Sequence, residues 1–164
     1  IEVVSLAQSQ KLITATGYAA STSTDGTGVI TLDFGAYDTA TPPAFTANAG
    51  KTSKTITIDS TNNTLAGVRD AINASSSGVT ASIINNGTSN FLSLTSTDTG
   101  ASNAMKISVS DSSLNALVYN GSTNSGNMAQ TVGAKDAVIK VDTVTITKPS
   151  NVITDAIEGV TLNL

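Results

Sequence analysis

Residues 64–84 constrain the fold more than any other stretch. They read T-L-A-G-V-R-D-A-I-N-A-S-S-S-G-V-T-A-S-I-I. Leu65, Val68, Ala71 and Ile72 recur at the spacing of one helix face. Thr64 stands just before them, and its hydroxyl can accept from a free N–H of the first turn. Ser75, Ser76, Ser77 and Gly78 end the period, and Gly78 can adopt the left-handed conformation that stops a helix. The chain then alternates, with Val79, Ala81 and Ile83 on one face and Thr80, Ser82 and Ile84 on the other. The pattern predicts one amphipathic helix feeding directly into a half-buried strand.

Most of the remaining sequence is strand-like. Only 12% of residues are charged and 4% aromatic, while Ser and Thr make up more than a quarter. Thr suits a pleated surface, and Ser, Asn, Asp and Gly fill turns. The apolar residues alternate instead of scattering, which excludes low complexity for most of the chain. Residues 29–34 and 55–59 read as strands, with Ile30, Leu32, Phe34, Ile56 and Ile58 inward. Asn86-Gly87 marks a hairpin turn between strands at 79–84 and 91–95. Met105, Ile107 and Val109 alternate in a further strand.

Other segments are less regular. Pro42-Pro43 and Gly50 make residues 37–53 a long exposed loop. Leu6 and Leu12 fit a strand or a helical turn equally, and Leu114, Leu117 and Val118 fit a short helix or a turn. Residues 120–127 have almost nothing to bury and read as a mobile loop. Residues 137–141 are a strand with Val144 and Ile146 in its partner. Asn151 is positioned to cap a second short helix through Ala156 and Ile157, stopped by Gly159. Val160, Leu162 and Leu164 close the chain as a strand.

The middle and the end also resemble each other. T-I-T-I-D-S-T-N-N-T-L-A-G-V-R-D-A-I-N and V-T-I-T-K-P-S-N-V-I-T-D-A-I-E-G-V each give strand, Asn-containing cap, D-A-I and strand. A true duplication and the coincidence expected of a Thr-rich chain both fit. Duplication would place each copy in its own unit. The expected fold is mainly β with two short helices, a β-rich α+β fold of two small antiparallel-sheet domains. One domain comprises residues 1–20 and 133–164, and residues 21–132 are inserted into it.

Three segments carry a family resemblance. T-L-A-G-V-R-D-A-I-N, G-V-T-A-S-I-I-N-N-G and F-L-S-L-T-S-T-D-T-G-A-S-N-A-M-K-I resemble the flagellin hook IN motif. V-V-S-L-A-Q-S-Q-K-L at residues 3–12, A-V-I-K-V-D-T-V-T-I-T at 137–147 and D-A-I-E-G-V-T-L-N-L at 155–164 are similar to the hook-associated protein 2 family, the flagellar filament caps. Thr143 stands where that family usually has Gly after Asp142, which weakens the tight turn expected there. The resemblance implies a head fragment and makes residues 2–11 a strand. It implies a structural, non-enzymatic role at the extracellular, distal tip of a bacterial filament. It also implies a homo-oligomeric ring, with flagellin and hook-filament junction proteins as partners and coiled coil outside this fragment. The ring would promote flagellin polymerisation and prevent flagellin loss. Export of unfolded chains through a narrow channel would account for the absence of cysteine.

The chemistry-bearing residues are sparse. With no His and no Cys, Ser–His triads, Cys–His pairs and most zinc sites are excluded within this chain. No phosphate-loop, nucleophile-elbow or H-E-x-x-H pattern occurs. Residues 59–64, D-S-T-N-N-T, space oxygens like a calcium loop but lack its Gly and distal Glu, so a solvated turn and helix cap is expected. Asp98 and Asp111 are candidates for an acid pair only if the fold brings them together. Arg69 and Asp70 lie on the helix face opposite Leu65, suited to a surface ion pair or an inter-subunit contact. Asn86-Gly87-Thr88 and Asn120-Gly121-Ser122 match a glycosylation pattern but read as turns. No catalytic, cofactor or metal residue is therefore expected.

The net charge of −4, without a basic run, excludes nucleic acid as a partner. No apolar run is long enough to cross a bilayer. No signal peptide is visible, and a fragment starting at Ile1 would not retain one. The alternative function is an extracellular adhesin-type binding module for glycan or receptor, with residues 42–49 and 120–127 as contact loops and Phe45 as their one ring. No long apolar stripe is left over in the pattern, so the isolated chain is expected to be monomeric or weakly associated.

Overall fold

The computed structural model describes residues 1–121 and 127–164. In chain order the strands are β1 (Glu2–Ser5), β2 (Lys11–Thr14), β3 (Gly28–Tyr37), β4 (Phe45–Ala47) and β5 (Lys54–Ile58). Helix α1 (Leu65–Ala74) follows, then β6 (Val79–Asn85), β7 (Asn90–Ser96) and β8 (Ala104–Val109). The last strands are β9 (Met128–Val132), β10 (Ala137–Val141), β11 (Val144–Lys148), β12 (Val152–Ile157) and β13 (Val160–Asn163). Two 3-10 turns, Ala101–Asn103 and Ser112–Leu117, flank β8. The fold is mainly β with short helical segments, as its Thr-rich alternation requires.

Among the described residues four antiparallel sheets form. In the first, β3 pairs with β8 along one edge and with β5 and then β4 along the other. The second has the order β6-β7-β2-β9, the third β1-β10-β11, and the fourth is the hairpin β12-β13. The helix packs against β5 and β6. Thr64 caps it as expected, its hydroxyl accepting from the Gly67 N–H at 3.0 Å. Gly78 takes a φ of +80° just beyond the helix. Leu65, Val68 and Ile72 are buried in one core with Ile56, Ile58, Leu92 and Leu94. That cluster is the one the helical and strand periods required.

Several local expectations are corrected. The segment at residues 151–157 is not a helix. Its β-branched run Val152, Ile153 and Thr154 suits a strand, and Asn151 spends its side chain elsewhere. β12 returns as β13 through the turn at Glu158 and Gly159, with Ile157 opposite Val160. The second copy of the supposed repeat is thus a hairpin, and the two copies do not share a fold. Residues 37–53 are not all loop. β4 pairs Phe45 with Tyr37, and Asp38 closes the turn by accepting from the Ala40 and Ala44 N–H groups at 3.0 and 2.8 Å. Residues 2–11 are not one strand, because the chain leaves β1 after Ser5 and pairs again only at Gln8 and Lys11.

The start of the chain contributes to two sheets. Lys11–Thr14 pairs with β7 and β9, and Leu12 is in the core around the helix. The segment before β2 pairs instead with residues 135–140. The turn at Asp142-Thr143 forms despite the missing Gly. Val141 and Val144 are direct partners, and Asp142 takes the left-handed φ, +55°, which Asp tolerates better than most residues.

Candidate assembly surface

The carboxylates singled out in the sequence are each spent locally. Asp98 pairs with Lys51, whereas Asp111 caps the second 3-10 turn by accepting from the Ser113 N–H at 2.8 Å. Their hydrogen bonds go to separate elements, so they do not form an acid pair. Asp59 accepts from the Thr61 hydroxyl at 2.6 Å and the Thr61 N–H at 2.8 Å. These bonds to the anion, the hydroxyl first, hold its pKa below the usual carboxylate value. Residues 59–64 are a hydrogen-bonded turn running into a helix cap. Among the described residues no cluster of three or more carboxylates could hold a metal.

Arg69 and Asp70 pair with each other in a two-pronged contact of 2.8 and 2.9 Å. The Asn86 side chain accepts from Thr88 and Ser89 N–H groups at 3.0 and 2.8 Å, which builds the β6-β7 turn. The pattern Asn120-Gly121-Ser122 and the loop at 120–127 lie partly outside the described residues.

Sequence reasoning missed one aromatic cluster. Tyr37 lies 5.0 Å from Phe45 and 5.9 Å from Tyr119, centroid to centroid. The Lys106 ammonium sits 5.3 Å over the Phe45 ring. A cavity of about 360 Å³ opens beside this cluster, lined by Tyr37, residues 38–41, Pro43, Tyr119, Gly121 and Gln130. Gly121 has φ +84°, and a Cβ there would meet the Tyr37 ring at 2.5 Å, so its backbone lies against that ring.

A second feature is the joint between the two four-stranded sheets and the two smaller ones. Gln8 and Lys135 exchange backbone hydrogen bonds of 2.8 and 3.1 Å. The Thr99 hydroxyl donates to the Pro149 carbonyl at 2.6 Å, and the Ala101 N–H donates to Asp136 Oδ1 at 2.7 Å. Gln10 is wholly buried beside this joint. Its Oε1 accepts from the Met105 N–H and its Nε2 donates to Gln130, both at 2.6 Å. A lone Gln in an S-Q-K context carries no pattern that announces such a role.

The surface is not uniformly polar. Ile1, Val3, Val4 and Leu6 near β1 remain exposed, as do Val144, Val152 and Val160. The expectation concerned a long apolar stripe, and these residues are single exposed side chains on β1 and the segments beside it and on β11, β12 and β13.

Two family models match the sequence. One, described as the flagellin hook IN motif, covers residues 44–98, from β4 through β7. The other, described as the flagellar hook-associated protein 2 C-terminus, covers residues 134–164. The D2-D3 domains of the Escherichia coli flagellar cap protein FliD superpose with a TM-score of 0.86 at 38% identity. That match covers 99% of this chain and 79% of the other. The chain belongs to the flagellar hook-associated protein 2 family.

Among hook-associated protein 2 sequences, that of Escherichia coli K12 is 46% identical over 104 residues, 62% of this chain. The chain spans only 22% of that relative's length. The D2-D3 domains of the Serratia marcescens cap protein match over 99% of this chain and 83% of that one, with 32% identity and a TM-score of 0.81. The flagellin hook IN motif takes in the helix and the β6-β7 hairpin, and the hook-associated protein 2 C-terminus takes in the hairpins β10-β11 and β12-β13.

Proposed function

We propose that this chain is part of the head of a filament-cap subunit at the distal, extracellular tip of a bacterial flagellum. The observation that carries the reading is the fold match along 99% of the chain to a flagellar cap protein. In this reading the complete protein forms a homo-oligomeric ring that promotes flagellin polymerisation, prevents flagellin loss and meets the hook-filament junction proteins during assembly. The role is mechanical and involves no catalysis. A braced joint and a closed core fit a part that transmits contacts without changing shape.

The chain divides, in the same proposal, into two small sheet units, one inserted in the other. The pairing of β2 with β7 and β9 supports a first crossing near residue 10, where residue 20 was expected.

For the binding-module reading, the loop at residues 120–127 lies partly outside the described residues. Phe45, the ring it depended on, is held between Tyr37 and Lys106. Deletion of the corresponding gene tests the cap reading. The expected result is cells that shed unpolymerised flagellin into the medium and fail to swim, rescued by the complete gene. Full-length filaments and normal swimming in the deletion strain would overturn it.

A further inference from the structure

Asn73, in the last turn of α1, takes the place of a neighbouring strand beside β6. Its Oδ1 accepts from the Ala81 N–H at 2.8 Å, and its Nδ2 donates to the Ala81 carbonyl at 2.9 Å. β6 is the outer strand of the sheet β6-β7-β2-β9. Successive residues of an antiparallel strand turn their backbone groups to opposite sides. The Gly78 carbonyl accepts from the Thr97 N–H across the hairpin, and the Asn86 N–H donates to the Ser89 carbonyl. Thr80, Ser82 and Ile84, spaced evenly between them, therefore face β7 as well. Val79, Ala81, Ile83 and Asn85 present their backbone groups to the outside. Asn73 sits on Ala81, in the middle of that open side.

The strand itself is prone to pairing. It reads V-T-A-S-I-I-N, with no charge and no Pro. An uncharged run rich in β-formers at a sheet edge is a template for another chain. Ile84 adds an apolar side chain that is 48% exposed. The other four-stranded sheet protects its edges in other ways, since β5 carries Lys54 and β4 is three residues long. β6 has seven residues and no lysine. What it has is the Asn73 amide, which satisfies the Ala81 N–H and carbonyl together. Beyond it only Ile83 and Asn85 remain toward the hairpin turn, a short stretch for a strand to grip.

We propose that Asn73 guards this edge, and that without it β6 pairs with β6 of a second copy of this chain. Two such strands laid antiparallel set uncharged residues opposite one another, so no like-charge repulsion opposes them. The role is distinct from that of the adjacent Ile72, which faces the core. Nothing in it depends on the cap reading, and none of the outcomes below bears on that reading.

Four forms of the complete protein test it: the parent, Asn73→Ala, Asn73→Ala with Ile84→Lys, and Ile72→Val. Sedimentation at equal concentration gives their size, urea unfolding shows that each is folded, and hydrogen exchange follows residues 79–85. Asn73→Ala should form larger species than the parent, with slowed exchange at residues 79–85 within them. Adding Ile84→Lys places a charge beside the open edge and should restore the parent's size. Ile72→Val loosens the same helix but keeps the guard, and should sediment as the parent does. An Asn73→Ala protein of the parent's size would overturn the proposal. So would equal association by the double variant or by Ile72→Val, which would trace it to lost stability. Failure of Asn73→Ala to fold would overturn it too, by making Asn73 a support of the fold.

Discussion

Asn151 holds the backbone of Ala7 as a neighbouring strand would. Its Oδ1 accepts from the Ala7 N–H at 2.7 Å, and its Nδ2 donates to the Ala7 carbonyl at 3.1 Å. The two residues are 144 apart in sequence. One amide side chain thus fixes the β12-β13 hairpin to the segment between β1 and β2. Asn151→Ala removes both bonds and leaves an almost fully buried Ala7 N–H without its acceptor. At about 0.5–1.5 kcal/mol per bond, the expected loss is about 1–3 kcal/mol in urea denaturation. A variant as stable as the parent would mean that water replaces the side chain freely.

Gln10 links two sheets from inside the protein. Gln10→Leu keeps most of the volume but strands the Met105 N–H and removes the donor to Gln130. An unsatisfied buried donor costs about 1–3 kcal/mol, so the variant should unfold at correspondingly lower urea. Amide exchange at Met105 should rise with it. An unchanged midpoint would place the role of Gln10 in its backbone bonds to Ser96 alone.

Ile72 closes the face of α1 and is almost completely buried. Ile72→Ala should destabilise the protein by about 2–5 kcal/mol, the range for a large aliphatic removed from a packed core. A thermal melt overlaying the parent's would contradict the packing of this face.

Alkali should weaken the fold through its tyrosines. Burial, together with the hydrogen bond from its hydroxyl to Asp25 at 2.8 Å, raises the Tyr18 pKa above its ordinary value near 10. Tyr37 and Tyr119 are raised by burial as well. A group raised on folding stabilises fully below its unfolded pKa, and that contribution fades as pH climbs toward the folded value. The melting temperature should therefore fall above about pH 10. Tyr18→Phe should be less stable near neutrality and should fall less steeply. Parallel profiles for the two proteins would show that Tyr18 is not the titrating group.

Where one period dominates, the sequence alone was legible. Thr64, Leu65, Val68 and Ile72 announced a capped helix and its buried face, because cap chemistry and spacing agree there. The strands of residues 29–34, 55–59 and 79–95 were legible for the same reason. Asn151 misled, since an Asn before an apolar residue caps a helix as readily as it pairs with a distant backbone. Its partner, Ala7, leaves no mark on the local pattern. Tyr37, Phe45 and Tyr119 could not be grouped, because their meeting depends on β3, β4 and the bridge from Tyr119 to Ile107. The open valines were invisible for another reason: alternation says which side faces inward, not whether anything is there to meet it.

The pairing of β2 with β9 has a mechanical consequence. Gln8 and Lys135 face each other, and Lys11 and Val132 are register partners a few residues beyond. The chain enters the four-stranded sheets on β2 and leaves them on β9, its antiparallel neighbour. A pull along the smaller sheets can cross from one strand to the other at this pair, braced by the contacts of Thr99 with Pro149 and Ala101 with Asp136. Loops remote from this joint, such as the β6-β7 turn at Asn86, can lengthen or change surface chemistry without touching the strands that carry that load.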